Sequence, residues 1–285
     1  MPYDQTLIRP PAALQRGDGA AELVFAPGAS GARLTHLYQR SPCRVLFPKT
    51  EAGEPPNAVL LTTCGGLADG DRVRINVTAE AGARATVTSQ AAEKIYRSRG
   101  DDCRVGVTLT AGAGAWLEFL PHETILFDGG RLRRATELHV AGGGRLLACE
   151  MVTFGRVARG EEFRRGFLRD AWSVRRAGGL VWTDALKLEG DLPALLGRAR
   201  AFAGARALAS VLYVADDAPE HLESARLLLE GATSHAAVTA VNGLLLARFF
   251  GPDPAAVRRD LGLYLGGLRH HVAGLARQLP RVWYH

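Results

Sequence analysis

The chain has 285 residues, 47% of them hydrophobic and 22% charged, which excludes a disordered or low-complexity protein and allows one large core or two modest ones. Its formal charge is +6, yet among 35 basic residues only Lys49, Lys94 and Lys187 are lysines. The denser arginine groups (131–134, 164–169, 258–259) lie far apart along the chain and none interleaves with aromatic residues, so a nucleic-acid face is not expected, while attraction to an acidic protein partner stays open.

From about residue 20 to 215 the sequence reads as short strands between glycine turns. Segments 72–78 and 84–88 alternate strictly, one side chain in and the next out. Further strands are predicted at 23–25, 33–38, 59–63, 105–109, 116–120, 131–140 and 146–154. Glycine pairs and triplets such as Gly65-Gly66, Gly129-Gly130 and Gly142-Gly143-Gly144 fall between them. Many strands with no helix between them point to a meandering or stacked-sheet β fold rather than to βαβ units. Two helices are predicted near the end. The first covers 217–231, started by Asp217 and Glu220 and stopped at Gly231; the second covers 254–279, with Val257, Leu261, Tyr264, Leu265, Leu268, Val272, Leu275 and Leu279 on one stripe. A strand is expected between them at 243–250. No linker divides the chain, so residues 1–285 read as one domain with a lead-in over 1–20.

Several chemistries lack their motifs. There is no GxGxxG after a strand and no GxxxxGK[ST], hence no nucleotide cradle, and no GxSxG elbow for a serine hydrolase. A carbohydrate-active hydrolase on a β-helix-like scaffold would want an aromatic groove, and aromatic residues make up only 7% of the chain. The eight histidines contain no HExxH; His270 and His271, adjacent on a helix, diverge by about 100°. Cysteines 43, 64, 103 and 149 form no CxxC pair. The first residues, MPYDQTLIRPP, lack a signal-peptide core. No apolar run nears the roughly 20 residues of a membrane span. A reducing cytoplasmic setting, with no membrane and no nucleic acid as partner, is the expectation.

Three segments carry a resemblance: LTTCGGLADGD at 61–71, TSQAAEKIYRS at 88–98 and WLEFLPHETILF at 116–127, followed by FGRVARGE at 154–161 and LPRVW at 279–283. In this order and spacing the chain resembles the urease accessory family UreD, also called UreH, from about residue 22 onward. The motif positions are Gly65, Gly66 and Gly70 in the first segment, Gln90, Lys94, Tyr96 and Arg97 in the second, Arg156 and Glu161 in the fourth, and Pro280, Arg281 and Trp283 in the last. The resemblance implies a mainly β fold, with sheets stacked in a β-helix-like arrangement and two helices in the C-terminal part. It implies a non-enzymatic role in which the protein binds apo-urease and, through UreF, recruits the nickel-carrying GTPase UreG. Nickel would pass transiently through an internal water-filled passage, with no cofactor tightly bound. The chain departs from the family in having Asp69 where Gly is common and His122 where Gln is frequent.

Passage candidates are Asp71, Glu123, Glu150 and Asp184. The last three interrupt apolar strand patterns, where a carboxylate is costly to bury unless paired or hydrated. Each has a structural alternative: Asp71 as a turn residue capping its own backbone, the others as ion pairs with the plentiful arginines. Cys64 and His122 are weaker metal candidates, Cys64 reading more readily as a small buried residue and His122 as a substitution at a strand end. The rival to conduction is a pure docking scaffold that reshapes apo-urease while nickel travels outside it.

Overall fold

The computed structural model describes residues 16–29 and 31–284, so most of the predicted lead-in lies outside the described residues. In chain order the strands are β1 (Asp18–Gly28), β2 (Gly31–Arg40), β3 (Cys43–Leu46), β4 (Asn57–Thr62), β5 (Arg72–Ala79), β6 (Arg84–Ser89), β7 (Glu93–Ile95), β8 (Cys103–Ala111), β9 (Trp116–Leu120), β10 (Thr124–Leu126), β11 (Arg131–Val140), β12 (Arg145–Phe154), β13 (Phe167–Arg176), β14 (Gly179–Leu188), β15 (Ala207–Val214), β16 (His235–Val241) and β17 (Leu244–Gly251). The helices are α1 (Leu192–Gly197), α2 (Leu222–Leu227) and α3 (Pro254–Ala273).

The chain winds as a solenoid. It lays one strand in a seven-stranded sheet ordered β14-β13-β11-β8-β5-β1-β2, the next in a ten-stranded sheet, then a short third strand, and repeats. The coils stack in parallel: β5 pairs with β8 and β8 with β11 in one sheet, β6 with β9 and β9 with β12 in the other, and β7 with β10 along the third edge. Antiparallel hairpins close both ends of the seven-stranded sheet, β1 with β2 and β13 with β14.

Alternation decides which face each side chain takes. In β5, Val73 and Val77 point inward to the core between the sheets while Arg72, Arg74 and Asn76 face solvent. Strand β12 is covered on both faces, so it reads as a nearly unbroken apolar run. Its Leu146, Ala148 and Val152 enter the inter-sheet core; its Leu147, Cys149 and Met151 enter a second core under α2 and α3.

Three expectations change. The helix predicted over 217–231 is a 3-10 turn (Ala218–His221) followed by the short α2, because Asp217 does not cap it: its carboxylate instead accepts from the Tyr213 hydroxyl at 2.9 Å. The helix predicted over 254–279 stops at Ala273, where Gly274 at φ +65° turns the chain left-handed and donates to the His270 carbonyl at 3.0 Å. Leu275 and Leu279 stay buried because the tail folds back along α3. A third helix, α1, precedes these, with Asp191 as N-cap. Strands β3, β7, β13, β15 and β16 were not anticipated, while the stacking of parallel coils is the β-helix-like arrangement that the resemblance implied.

Candidate functional site

Between the sheets lies a cavity of about 360 Å³. Its rim is exposed, at Gly65, Gln90, Ala91 and Lys94; its floor is buried, at Phe119, Arg134 and Glu150. The wall on the seven-stranded sheet is apolar, built from Val73, Ile75, Val105, Val107 and Leu132. The opposite side carries the polar groups Thr62, Glu93, His122 and Thr124.

The floor is an ion triad spanning the two sheets. Arg134 on β11 donates Nε to Asp170 Oδ1 at 3.0 Å and Nη2 to Asp170 Oδ2 at 2.5 Å, its neighbour in register on β13. Its Nη1 reaches the Thr124 hydroxyl at 3.0 Å. Glu150 on β12 faces this pair: Oε1 accepts from the Thr136 hydroxyl at 2.5 Å, while Oε2 lies 3.1 Å from Arg134 Nη2. That second contact is close but misaligned, since Nη2 is directed at Asp170, and Oε2 has no hydrogen-bond partner among the described residues. Burial pushes the Glu150 carboxyl up to about 8; the Arg134 charge pulls the other way and the Asp170 charge adds to the rise.

Halfway up, Glu93 on β7 accepts from the Thr62 hydroxyl at 2.9 Å, and burial raises its pKa. His122 is held by its neighbours: its backbone N–H donates to Ser89 Oγ at 2.8 Å and its ring packs 5.5 Å from Trp283. Burial, then the adjacent Arg258 charge, lowers its pKa to about 4, which leaves a neutral imidazole. Nδ1 sits 3.3 Å from Arg258 Nη2, and the buried Nε2 has no partner among the described residues. Among the described residues, no three His, Cys, Asp or Glu side chains are placed to hold one metal ion together.

The rim is shaped by the motif residues. Gly66 at φ +151° lies where a side chain would strike Tyr96 and the Lys94 carbonyl, so only glycine permits this approach. The Tyr96 hydroxyl donates to the Gly65 carbonyl at 2.8 Å, and its ring meets Phe127 edge-on at 5.0 Å. The Arg156 guanidinium lies 4.5 Å from the other partner of that pair, Phe127, and is held by Glu161 at 2.5 Å. Trp283 donates Nε1 to the Leu120 carbonyl at 3.1 Å, and Arg281 pairs with Glu51 at 3.1 Å, tying the tail to the sheet.

A family model described as UreD urease accessory protein matches residues 17–284. The chain belongs to the UreD family. It is 45% identical over 270 residues to the urease accessory protein UreD of Magnetococcus marinus, with 93% of each chain covered. To that of Azorhizobium caulinodans it is 44% identical over 269 residues, covering 94% of this chain and 97% of the relative. Membership gives the chain a part in urease maturation as an accessory factor.

Of the four passage candidates, only Glu150 lines the cavity. Glu123 sits beside it and pairs with Arg258 of α3. Asp184 stands at the far edge of the sandwich, partly exposed and paired with Arg248, so it bridges β14 to β17 away from the cavity. Asp71 accepts backbone N–H bonds from Gly17 at 2.7 Å and Ala68 at 2.8 Å, which is the turn-capping role. Asp69 is buried beside it and bonded by Ser98 and the Arg99 N–H; these bonds outweigh burial and hold its carboxyl low. Cys64 corrects the expectation of a buried residue: it is exposed near the rim, its thiol donating to the Gly66 carbonyl at 3.0 Å. Sequence reading did not single out Glu93, Arg134 or Asp170.

Proposed function

We propose that this protein passes nickel through the inter-sheet cavity during urease maturation. It would bind apo-urease subunits and, through UreF, receive nickel from the GTPase UreG, in the cytoplasm and without catalysis of its own. The observation that carries this reading is the Glu150 carboxyl oxygen without a hydrogen-bond partner among the described residues, at the floor of a cavity on whose way in lie Glu93 and the neutral His122. Spaced single donors suit a cargo. A divalent ion gives up its hydration reluctantly and needs an oxygen or nitrogen at each stage, whereas a dense ligand set would retain it. Nickel would therefore be held weakly and transiently, with no tightly bound cofactor.

The apolar wall favours a second reading, a docking scaffold that reshapes apo-urease without conducting metal. The two separate on Glu93→Gln and Glu150→Gln. Arg134 keeps its two bonds to Asp170 in the second variant, so no arginine is stranded and the fold should hold. Conduction requires that urease assembled with these variants carries less nickel per complex at unchanged melting temperature. Full nickel content in both would leave the scaffold.

A further inference from the structure

On the seven-stranded sheet, the face turned away from the cavity gathers arginines that are far apart in sequence. Register places Arg72 beside Arg104, Arg104 beside Arg133, Arg133 beside Arg169 and Arg169 beside Lys187. Strands stand about 4.8 Å apart, so these cations form a row about 19 Å long, perpendicular to the strands. This revises the expectation that the basic residues are scattered.

Two members are partly balanced: Arg133 shares Asp102 with Arg131, and Lys187 pairs with Glu189. Arg72, Arg104 and Arg169 are exposed and form no ion pair among the described residues. Like charges directly opposite one another weaken a sheet; Asp102 and Glu189 offset part of that cost, and Asp18, beside Arg72 on β1, is taken up by Arg40 and Arg74, so Arg72, Arg104 and Arg169 keep theirs. The adjacent row starts at Arg74 and continues through Gly106, Ala135, Ala171 and Ala185, which past Arg74 form a flat strip without long side chains. Helices α2 and α3 pack on the other sheet and leave this face open.

We propose that this face docks an acidic α-helix of a protein partner, its carboxylates paired along the arginine row and its small side chains over the Gly106–Ala185 strip. Spacing selects the helix. Carboxylates placed alternately three and four residues apart advance about 5.2 Å per step, close to the strand separation. An extended peptide repeats on one face only every ~6.8 Å and falls out of step by the third arginine. Arginine's planar fork suits carboxylates held in such a line. Single-stranded nucleic acid would want an aromatic platform, but the ring at this row, Phe167, is buried under Arg131 at 5.1 Å and Arg133 at 4.4 Å. The proposal does not depend on nickel conduction, because the face and the cavity lie on opposite sides of the sheet.

The test is fluorescence anisotropy of the full chain with an alanine-based helical peptide about six turns long, carrying glutamates in one stripe. A peptide of the same composition with glutamates spread around the helix, and an oligo-dT of equal charge, are the comparisons. The striped peptide should bind about tenfold tighter than the spread one, and its affinity should fall about tenfold or more between roughly 50 and 300 mM salt. Arg104→Glu and Arg169→Glu should each weaken it about tenfold, and the neutral Arg104→Gln and Arg169→Gln by less. Arg226→Glu, on α2 over the other sheet, should leave binding unchanged. Equal binding of both peptides, tighter binding of the oligonucleotide, or row variants that bind like the parent would each overturn the proposal. These side chains are exposed, form no ion pair among the described residues and repel one another, so melting temperatures equal to or above the parent's should accompany the losses.

Discussion

On either side of the ten-stranded sheet a buried arginine sits between two carboxylates. Arg134, on the inner side, lies with Asp170 and Glu150. Arg269 of α3, on the outer side, lies with Glu118 and Glu54. The second set is closed. Arg269 gives Nε to Glu118 Oε1 at 2.8 Å, Nη2 to Glu118 Oε2 and Glu54 Oε2 at 3.1 and 2.5 Å, and Nη1 to the carbonyls of Ala276 and Gln278 at 2.6 and 3.0 Å. All five donors of the guanidinium are used. The first set is open: Arg134 spends its aligned bonds on Asp170 and Thr124, and Glu150 Oε2 is left facing a cavity. The same residue types thus act as a lock where every group is satisfied and as a candidate ion stage where one is not.

The contrast is breakable. Arg269→Met should be the most damaging change, about 3–5 kcal/mol, because it leaves the fully buried Glu118 without its counter-charge and frees the tail carbonyls. Denaturant midpoints would measure it, and a loss under 1 kcal/mol would show the lock to be ornamental. Arg134→Met should cost less, about 2–3 kcal/mol, since Glu150 can stay protonated and donate to Asp170. A larger loss than for Arg269→Met reverses the comparison.

Gly266→Ala tests the tail itself. A Cβ there would fall against the Arg277 carbonyl oxygen. The variant should lose about 1–2 kcal/mol although alanine favours a helix interior by about 1 kcal/mol. A rise in melting temperature would mean that the tail can move away.

The last effect is in pH. The folded state holds the Glu150 proton up to about 8, against 4.5 ordinarily, so between those values the folded chain binds more proton than the unfolded one. Stability from this group therefore falls as pH rises from 5 to 8, with no further loss above that range. Glu150→Gln should flatten that slope in parallel melts, and an identical slope in both proteins would place the proton elsewhere.

How much of this could be read in the sequence depends on phase. Glu150 was legible because it breaks an unbroken apolar run. Arg134 and Asp170 were not, because each sits in an alternating strand where a charge reads as solvent-facing. Their phase gives them away: Leu132, Arg134, Thr136 and Leu138 share the inward face of β11, as Leu168, Asp170, Trp172 and Val174 do on β13. The coiling fold followed from the family motifs, and strand alternation alone suggested only stacked sheets. The arginine row was illegible because alternation shows which side chains face outward but not which strands lie side by side. Parallel coils join residues some thirty positions apart, and no short-range pattern records that. Asp184 misled for the opposite reason: it interrupts a hydrophobic strand, but that strand is an edge, where the inward side is half open.

The closure around Arg269 also sets an order on the ribosome. Glu54 and Glu118 emerge well before the arginine that neutralises both, on α3, and before the carbonyls of Ala276 and Gln278 behind it that complete its bonding. Coils can stack as they appear, but the sheet face bearing Glu118 cannot be sealed until α3 and the tail behind it have been made. A nascent chain stalled before α3 would present that acidic, half-apolar face to the cell, so the emergence of α3 decides whether this face is sealed or left for chaperones and proteases.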